Sequence, residues 1–154
     1  MKVERIYTRE VVATPRSATI EEAARAMRKF HVGTLLVTEA SNGRQDVAGI
    51  VTDRDLVVYA LAEGLDARNV TVDKVMSPVV ATVPESAELH EALDRMRAAG
   101  VRRLLVTKEG GEPAGIVSLD DAVDGLVAEL ASLAGLMKTE LRREAGDSIA
   151  ERVA

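Results

Sequence analysis

Gly49-Ile50-Val51-Thr52-Asp53-Arg54-Asp55 returns further along the chain as Gly115-Ile116-Val117-Ser118-Leu119-Asp120-Asp121: a glycine, two β-branched aliphatics, a hydroxyl residue, two variable positions and an aspartate. The hydrophobic pattern changes at the hydroxyl residue. Ahead of Thr52 and Ser118 lies a short apolar run that reads as a buried strand. Behind them come Leu56, Val57, Tyr59, Ala60 and Leu61 in one copy, and Ala122, Val123, Leu126 and Val127 in the other, at helical spacing. A hydroxyl followed three residues later by an acid is the capping-box spacing, which satisfies free N–H groups at a helix start. Taken singly, each copy is therefore a strand that turns into a capped helix.

The duplication extends outward from these two stretches. Setting Pro15 on Pro84 carries Ile20 onto Leu89, Ala23 onto Ala92, Ala24 onto Leu93, Met27 onto Met96, Val32 onto Val101, Leu35 onto Leu104, Leu36 onto Leu105 and Val37 onto Val106. Positions 20, 23, 24 and 27, echoed at 89, 92, 93 and 96, follow the i, i+3, i+4, i+7 rule of a helix with one buried face. A second apolar run, a turn and the opening motif complete the unit. The turn is shorter in the second copy, where Gly110-Gly111-Glu112-Pro113 faces residues 41–46. One unit covers only one face of a small sheet, so two copies packed sheet to sheet give the simplest closed core. The prediction is a mixed α/β (α+β) fold of two pseudo-symmetric repeats, 1–68 and 69–128, each a small sheet flanked by helices. Residues 129–154 form a helical extension and tail. Leu130, Leu133, Met137 and Leu141 make a stripe on that extension, read as a helix folded back on the domain because Gly135 weakens a free-standing one; an oligomer contact is the alternative. The tail from Gly146 reads as frayed.

Composition narrows the function. Among 154 residues, 47% hydrophobic, the aromatics are Tyr7, Phe30 and Tyr59, so the core is aliphatic. A net charge of −5 repels a phosphate polymer, and three scattered aromatics offer no stacking platform, which argues against nucleic acid as a partner. The absence of cysteine removes disulfides and thiol chemistry and suits a reducing cytoplasm. No apolar stretch approaches the ~18 residues of a membrane span, and the mixed charges of residues 1–6 do not resemble a signal peptide. Catalysis has little to stand on: there is no nucleophile elbow, Walker loop or dinucleotide fingerprint, and His31 and His90 match in neither position nor surroundings.

The duplicated motif, together with Ile6-Tyr7-Thr8-Arg9-Glu10-Val11-Val12, Val75-Met76-Ser77-Pro78-Val79-Val80 and Val101-Arg102-Arg103-Leu104-Leu105-Val106, resembles a tandem pair of cystathionine-beta-synthase (CBS) domains, a Bateman module, over about residues 5 to 128. The resemblance implies a regulatory, non-catalytic module needing no cofactor. It would bind an adenosyl ligand (AMP, ADP, ATP or S-adenosylmethionine) in two clefts between the repeats. Carried over by position, Asp55 and Asp121 grip ribose, Thr52 and Ser118 approach ribose or phosphate, and Arg103 takes the place of a phosphate-contacting arginine. Ser118 and Asp121 should face residues 7–12, and Thr52 and Asp55 residues 76–81. With so few aromatics, Tyr7, Val11, Val12, Val79, Val80, Ile50 and Ile116 would form an apolar slot for the base. Gly33 and Thr34 stand where Arg102 and Arg103 do in the second repeat, so the Asp121 cleft is the stronger expected site. The module is expected to pair into a homodimeric disc through its exposed helices and to act on an unidentified regulated protein. The alternative is a ligand-free, structural or stress-related CBS-pair protein that works by dimerisation and docking.

Overall fold

Each apolar run that ends in a capped turn becomes the last strand of a small sheet. The structure, a computed structural model, describes residues 1–41, 43–78 and 80–153, with side chains except at positions 44, 142 and 144–153. The first half consists of β1 (Ala13–Pro15), α1 (Ile20–Phe30), β2 (Thr34–Ser41), β3 (Arg44–Thr52) and α2 (Asp53–Asp55), which widens without a break into a π-helical stretch, Leu56–Leu61. The second half repeats the order as β4 (Thr82–Pro84), α3 (Leu89–Ala99), β5 (Arg103–Thr107), β6 (Pro113–Ser118) and α4 (Leu119–Val153). Each half holds one three-stranded sheet, β1-β2-β3 or β4-β5-β6, in which an antiparallel hairpin is joined by a parallel edge strand. That edge strand comes from the segment ahead of the first helix and ends at Pro15 or Pro84, a residue tolerated at a sheet edge because it has no N–H to contribute.

The first helices bury equivalent triads, Ile20, Ala23 and Met27 in α1 and Leu89, Ala92 and Met96 in α3. Thr19 and Glu22 close a capping box at the start of α1. Leu35 and Leu104, one from each hairpin, are fully buried, which contributes about 1.5–3 kcal/mol apiece.

Each core is finished by the other half's leading segment. A 3-10 turn at Val3–Arg5 places Val3, with Tyr7, among Val83, Ala92, Leu104 and Val117 of the second half. The equivalent turn at Val72–Lys74 places Val72 and Val75 among Ala23, Leu35 and Val51 of the first. Between the sheets, Leu36 and Ile50 meet Leu105 and Ile116, flanked by Val11, Val47 and Val80. The predicted sheet-to-sheet packing is this aliphatic layer.

Beyond the second half the structure departs from the sequence reading. Leu130, Leu133, Met137 and Leu141 are exposed, so the extension does not fold back on the domain. Folding back requires a turn, and between Ser118 and this stripe the chain has no proline and one isolated glycine, Gly125. The helix continues to Val153. Gly135 costs such a helix only about 1 kcal/mol relative to alanine, which does not stop it.

Candidate functional site

The site begins with a close approach of backbones. The N–H of Thr8 donates to the carbonyl of Ile116 (2.9 Å) and the N–H of Ile116 returns the bond to Thr8 (3.0 Å), laying the N-terminal leader along the free edge of β6. Ser77 and Ile50 make the equivalent pair on β3, at 2.8 and 3.0 Å. Glycine is needed beside each pair. A Cβ on Gly115 would overlap the Thr8 carbonyl oxygen and stand 2.6 Å from Cδ2 of Tyr7, and one on Gly49 would stand 2.6 Å from the Ser77 carbonyl oxygen. The motif glycines therefore make room for the crossing leader.

Past this crossing the leader and the start of α4 enclose a cleft of about 200 Å³. Its walls are Thr8, Glu10, Val11 and Val12 from the leader, Val32, Gly33 and Thr34 ahead of and at the start of β2, and Arg103, Ile116, Ser118 and Asp121 from the second half. Ser118 and Asp121 form the predicted cap: the N–H and hydroxyl of Ser118 both donate to Oδ2 of Asp121 at 2.7 Å, and the N–H of Asp121 donates to Oγ of Ser118 at 3.1 Å. The other carboxylate oxygen, Oδ1, takes no part in this cap. Arg103 is opposite Ser118 in the strand register. Among the described residues, no carboxylate lies within ion-pairing distance of its guanidinium. Arg102, on the other face of the chain, pairs at the exposed surface with Asp120, 3.5 Å away. The cleft thus brings together a carboxylate, a hydroxyl, an uncommitted cation and aliphatic walls, a set suited to a small molecule carrying hydroxyls, an apolar ring and negative charge.

Thr52 and Asp55 build the same cap at the other end of the pseudo-twofold, with Thr52 N–H and Oγ1 each 2.8 Å from Oδ2 of Asp55. Thr34, opposite Thr52 in register, supplies no charge there. Of the aliphatic residues expected beside it, Ile50 and Val80 belong to the inter-sheet layer. Val79 lies outside the described residues.

Tyr7 corrects an expectation. Its ring is buried in the second-half core, its hydroxyl donates to Glu85 Oε2 at 3.0 Å, and Arg9 covers one ring face at 4.5 Å. It supports the leader from behind and leaves the cleft wall to Thr8, Val11 and Val12. Thr8 and Glu10 line the cleft as well. A signal for Thr8 was available: the offset that pairs Pro15 with Pro84 also pairs Thr8 with Ser77, the two residues that bridge to the opposite sheets. Among the described residues there is no group of three or more His, Cys, Asp or Glu placed to hold a metal ion, and no helix is long and apolar enough to cross a membrane.

Known proteins place this geometry. The CBS domain family matches the chain twice, over residues 3–62 and 72–128. A 17.7 kDa uncharacterized protein of Acidianus ambivalens is 36% identical over 126 residues, covering 82% of this chain and 73% of its own length. The uncharacterized protein MK0525 of Methanopyrus kandleri is 31% identical over 79% of this chain and 60% of its own. Among solved structures, the CBS domain protein PAE2072 of Pyrobaculum aerophilum, complexed with AMP, superposes with a TM-score of 0.71 at 27% identity, covering 86% of this chain and 99% of that one. With both halves matched and their sheets packed face to face across crossed leaders, the chain belongs to the CBS domain family as a tandem pair.

Proposed function

We propose that the protein is a regulatory module that binds an adenosine nucleotide in the cleft between the N-terminal leader and the start of α4. The observation that carries this reading is the convergence of Arg103, Ser118 and Asp121 on one apolar-walled cleft. Asp121 accepts from the ribose hydroxyls through Oδ1, Ser118 and Arg103 meet phosphate, and Val11, Val12 and Ile116 hold the base. The AMP complex of the Pyrobaculum protein supports the ligand class; ADP, ATP and S-adenosylmethionine share the adenosyl group. The Thr52–Asp55 cleft, without an arginine, is the weaker site. In this proposal the module works in the cytoplasm as a homodimer paired through its exposed helices, and ligand alters how it meets a regulated protein.

The test is a thermal-shift panel of AMP, ADP, ATP and S-adenosylmethionine. A ligand at ~100 times its Kd adds about 2.7 kcal/mol, which raises Tm by roughly 5–10 °C in a domain of this size. Asp121→Ala and Arg103→Met should abolish or strongly weaken the response while Asp55→Ala retains most of it; equal loss in the two aspartate variants would refute the ranking of the clefts. A second reading, a ligand-free structural pair, is favoured by one observation: both aspartates already serve as helix caps. Silence across the whole panel would select it.

A further inference from the structure

The family match ends at residue 128, but α4 runs on to Val153, and its apolar residues keep a strict order. Leu119, Val123, Leu126, Leu130, Leu133 and Met137 alternate spacings of four and three, the heptad pattern of a helix that packs along its length on another helix. Leu119 and the neighbouring Ala122 are taken up by the domain, but Val123 is 51% exposed, Leu126 42%, Leu130 65%, Leu133 58% and Met137 65%. With the flanking Val127, Leu136 and Leu141, these side chains present on the order of 800 Å² to solvent, about what one partner contributes to an interface of standard size.

We propose that a second copy of α4 covers this face, running antiparallel. Charge fixes the direction. Asp120, Asp124 and Glu129 precede the first basic residue of the helix, Lys138, and Arg142 and Arg143 follow it. An antiparallel partner sets this acidic stretch beside the basic one. A parallel partner sets acidic stretch beside acidic stretch and carries the seam into Glu140 facing Glu140. The heptads also fix a register. Crossing between Ala131 and Ser132 layers Leu130 on Leu133 of the second copy and Leu126 on Met137 of the second copy, so the four central layers are apolar throughout. This deepens the homodimer of the proposed module by naming the surface that holds it; it makes no use of the nucleotide cleft, so a negative ligand panel leaves it standing.

Sedimentation and spin labelling test it on the full chain. The wild type should sediment as a dimer at ten-micromolar concentration, and Leu133→Glu/Met137→Glu as a monomer whose domain still unfolds cooperatively, since neither residue belongs to a core, at a lower temperature because the stabilisation by the second copy is lost. Leu61→Glu, on the exposed end of the helix after Asp55, should remain dimeric. The chain has no cysteine, so Ser132→Cys and Thr139→Cys each carry one label per copy. Labels at 132 should lie close across the seam and labels at 139 roughly 20 Å apart along it, from the helical rise of about 1.5 Å per residue. A monomeric wild type, a dimer that survives Leu133→Glu/Met137→Glu, or equally short distances at both labels would overturn the proposal.

Discussion

Replacing Gly115 by alanine tests whether the leader is built onto the opposite sheet as the structure has it. The new methyl carbon would stand 2.6 Å from Cδ2 and 2.8 Å from Cε2 of Tyr7. Carbon atoms are comfortable at about 3.5–4.0 Å, so the ring must withdraw by about 1 Å. It has nowhere to go, being buried and tied to Glu85 at 3.0 Å. The Thr8 carbonyl, which the methyl also meets, belongs to the bond pair with Ile116. Overpacking of this kind costs about 1–3 kcal/mol, and weakening two backbone hydrogen bonds adds about 1 kcal/mol each at most. A loss near 3 kcal/mol lowers Tm by roughly 6–12 °C at this chain length. Gly49→Ala should cost less, because one of its two close neighbours is the flexible sulfur end of Met76, at 2.9 Å. Gly43 sits at φ +77° with nothing within 4 Å of an added Cβ, so alanine there meets only backbone strain, about 1–2 kcal/mol. Calorimetric unfolding of the three variants should rank them Gly115, Gly49, Gly43 in decreasing damage. If Gly115→Ala melts within 2 °C of wild type, or no lower than Gly43→Ala, the crossed-leader account is wrong.

Tyr7→Phe removes the hydroxyl bond to Glu85 and nothing from the cleft wall, so it should cost about 1 kcal/mol and leave any response to AMP unchanged; an unaltered Tm with a lost response would return Tyr7 to the site. The pH dependence of the α1 cap has a definite sign. The Thr19 backbone N–H, and then its hydroxyl, donate to the Glu22 carboxylate and hold its pKa below the ordinary glutamate value. Because the folded value is the lower one, this stabilisation is fully present above the ordinary glutamate range and is lost as pH falls through the folded value. The Tm difference between wild type and Glu22→Gln should therefore hold steady from pH 8 to about 5 and shrink below about pH 4; a difference that grows on acidification would reverse the assignment.

What the sequence made legible is local. The caps at Thr52 and Ser118 and the buried triads of α1 and α3 follow from spacings within one or two helical turns, and the duplication multiplies each weak signal by two. The placement of Tyr7 in the core is decided non-locally. Which side of an extended leader faces the core is decided by its register, and that register is set by two reciprocal hydrogen bonds between Thr8 and Ile116, far away in sequence. The role of Gly115 is hidden for the same reason: a glycine permits close approach to the strand, and only the folded chain shows that Tyr7 and Thr8 are what approaches. The stripe on α4 showed that one face requires a cover without saying whether that cover belongs to the same molecule.

The crossed leaders also bear on how a bound nucleotide could reach a partner. Residues 3–12 connect both cores, with Val3 buried in the second half and Val12 packed against the first, and the cleft wall lies between them. The same segment rests on α4: Ile6 lies so near Gly125 that an added Cβ would come within 2.8 Å of its Cγ2. Asp121, one helical turn away, lines the cleft. A ligand spanning the leader and Asp121 therefore acts on the base of α4 from two sides. From Asp121 to Met137 the helix measures about 24 Å at a rise of about 1.5 Å per residue, so a tilt of about 5° at the base carries the exposed stripe through about 2 Å. Displacements of about 1–2 Å suffice to repack helices at subunit interfaces. In the proposed module neither aliphatic core needs to rearrange: the cleft sits at the base of α4, and the face proposed to pair with a second copy lies further along the same helix.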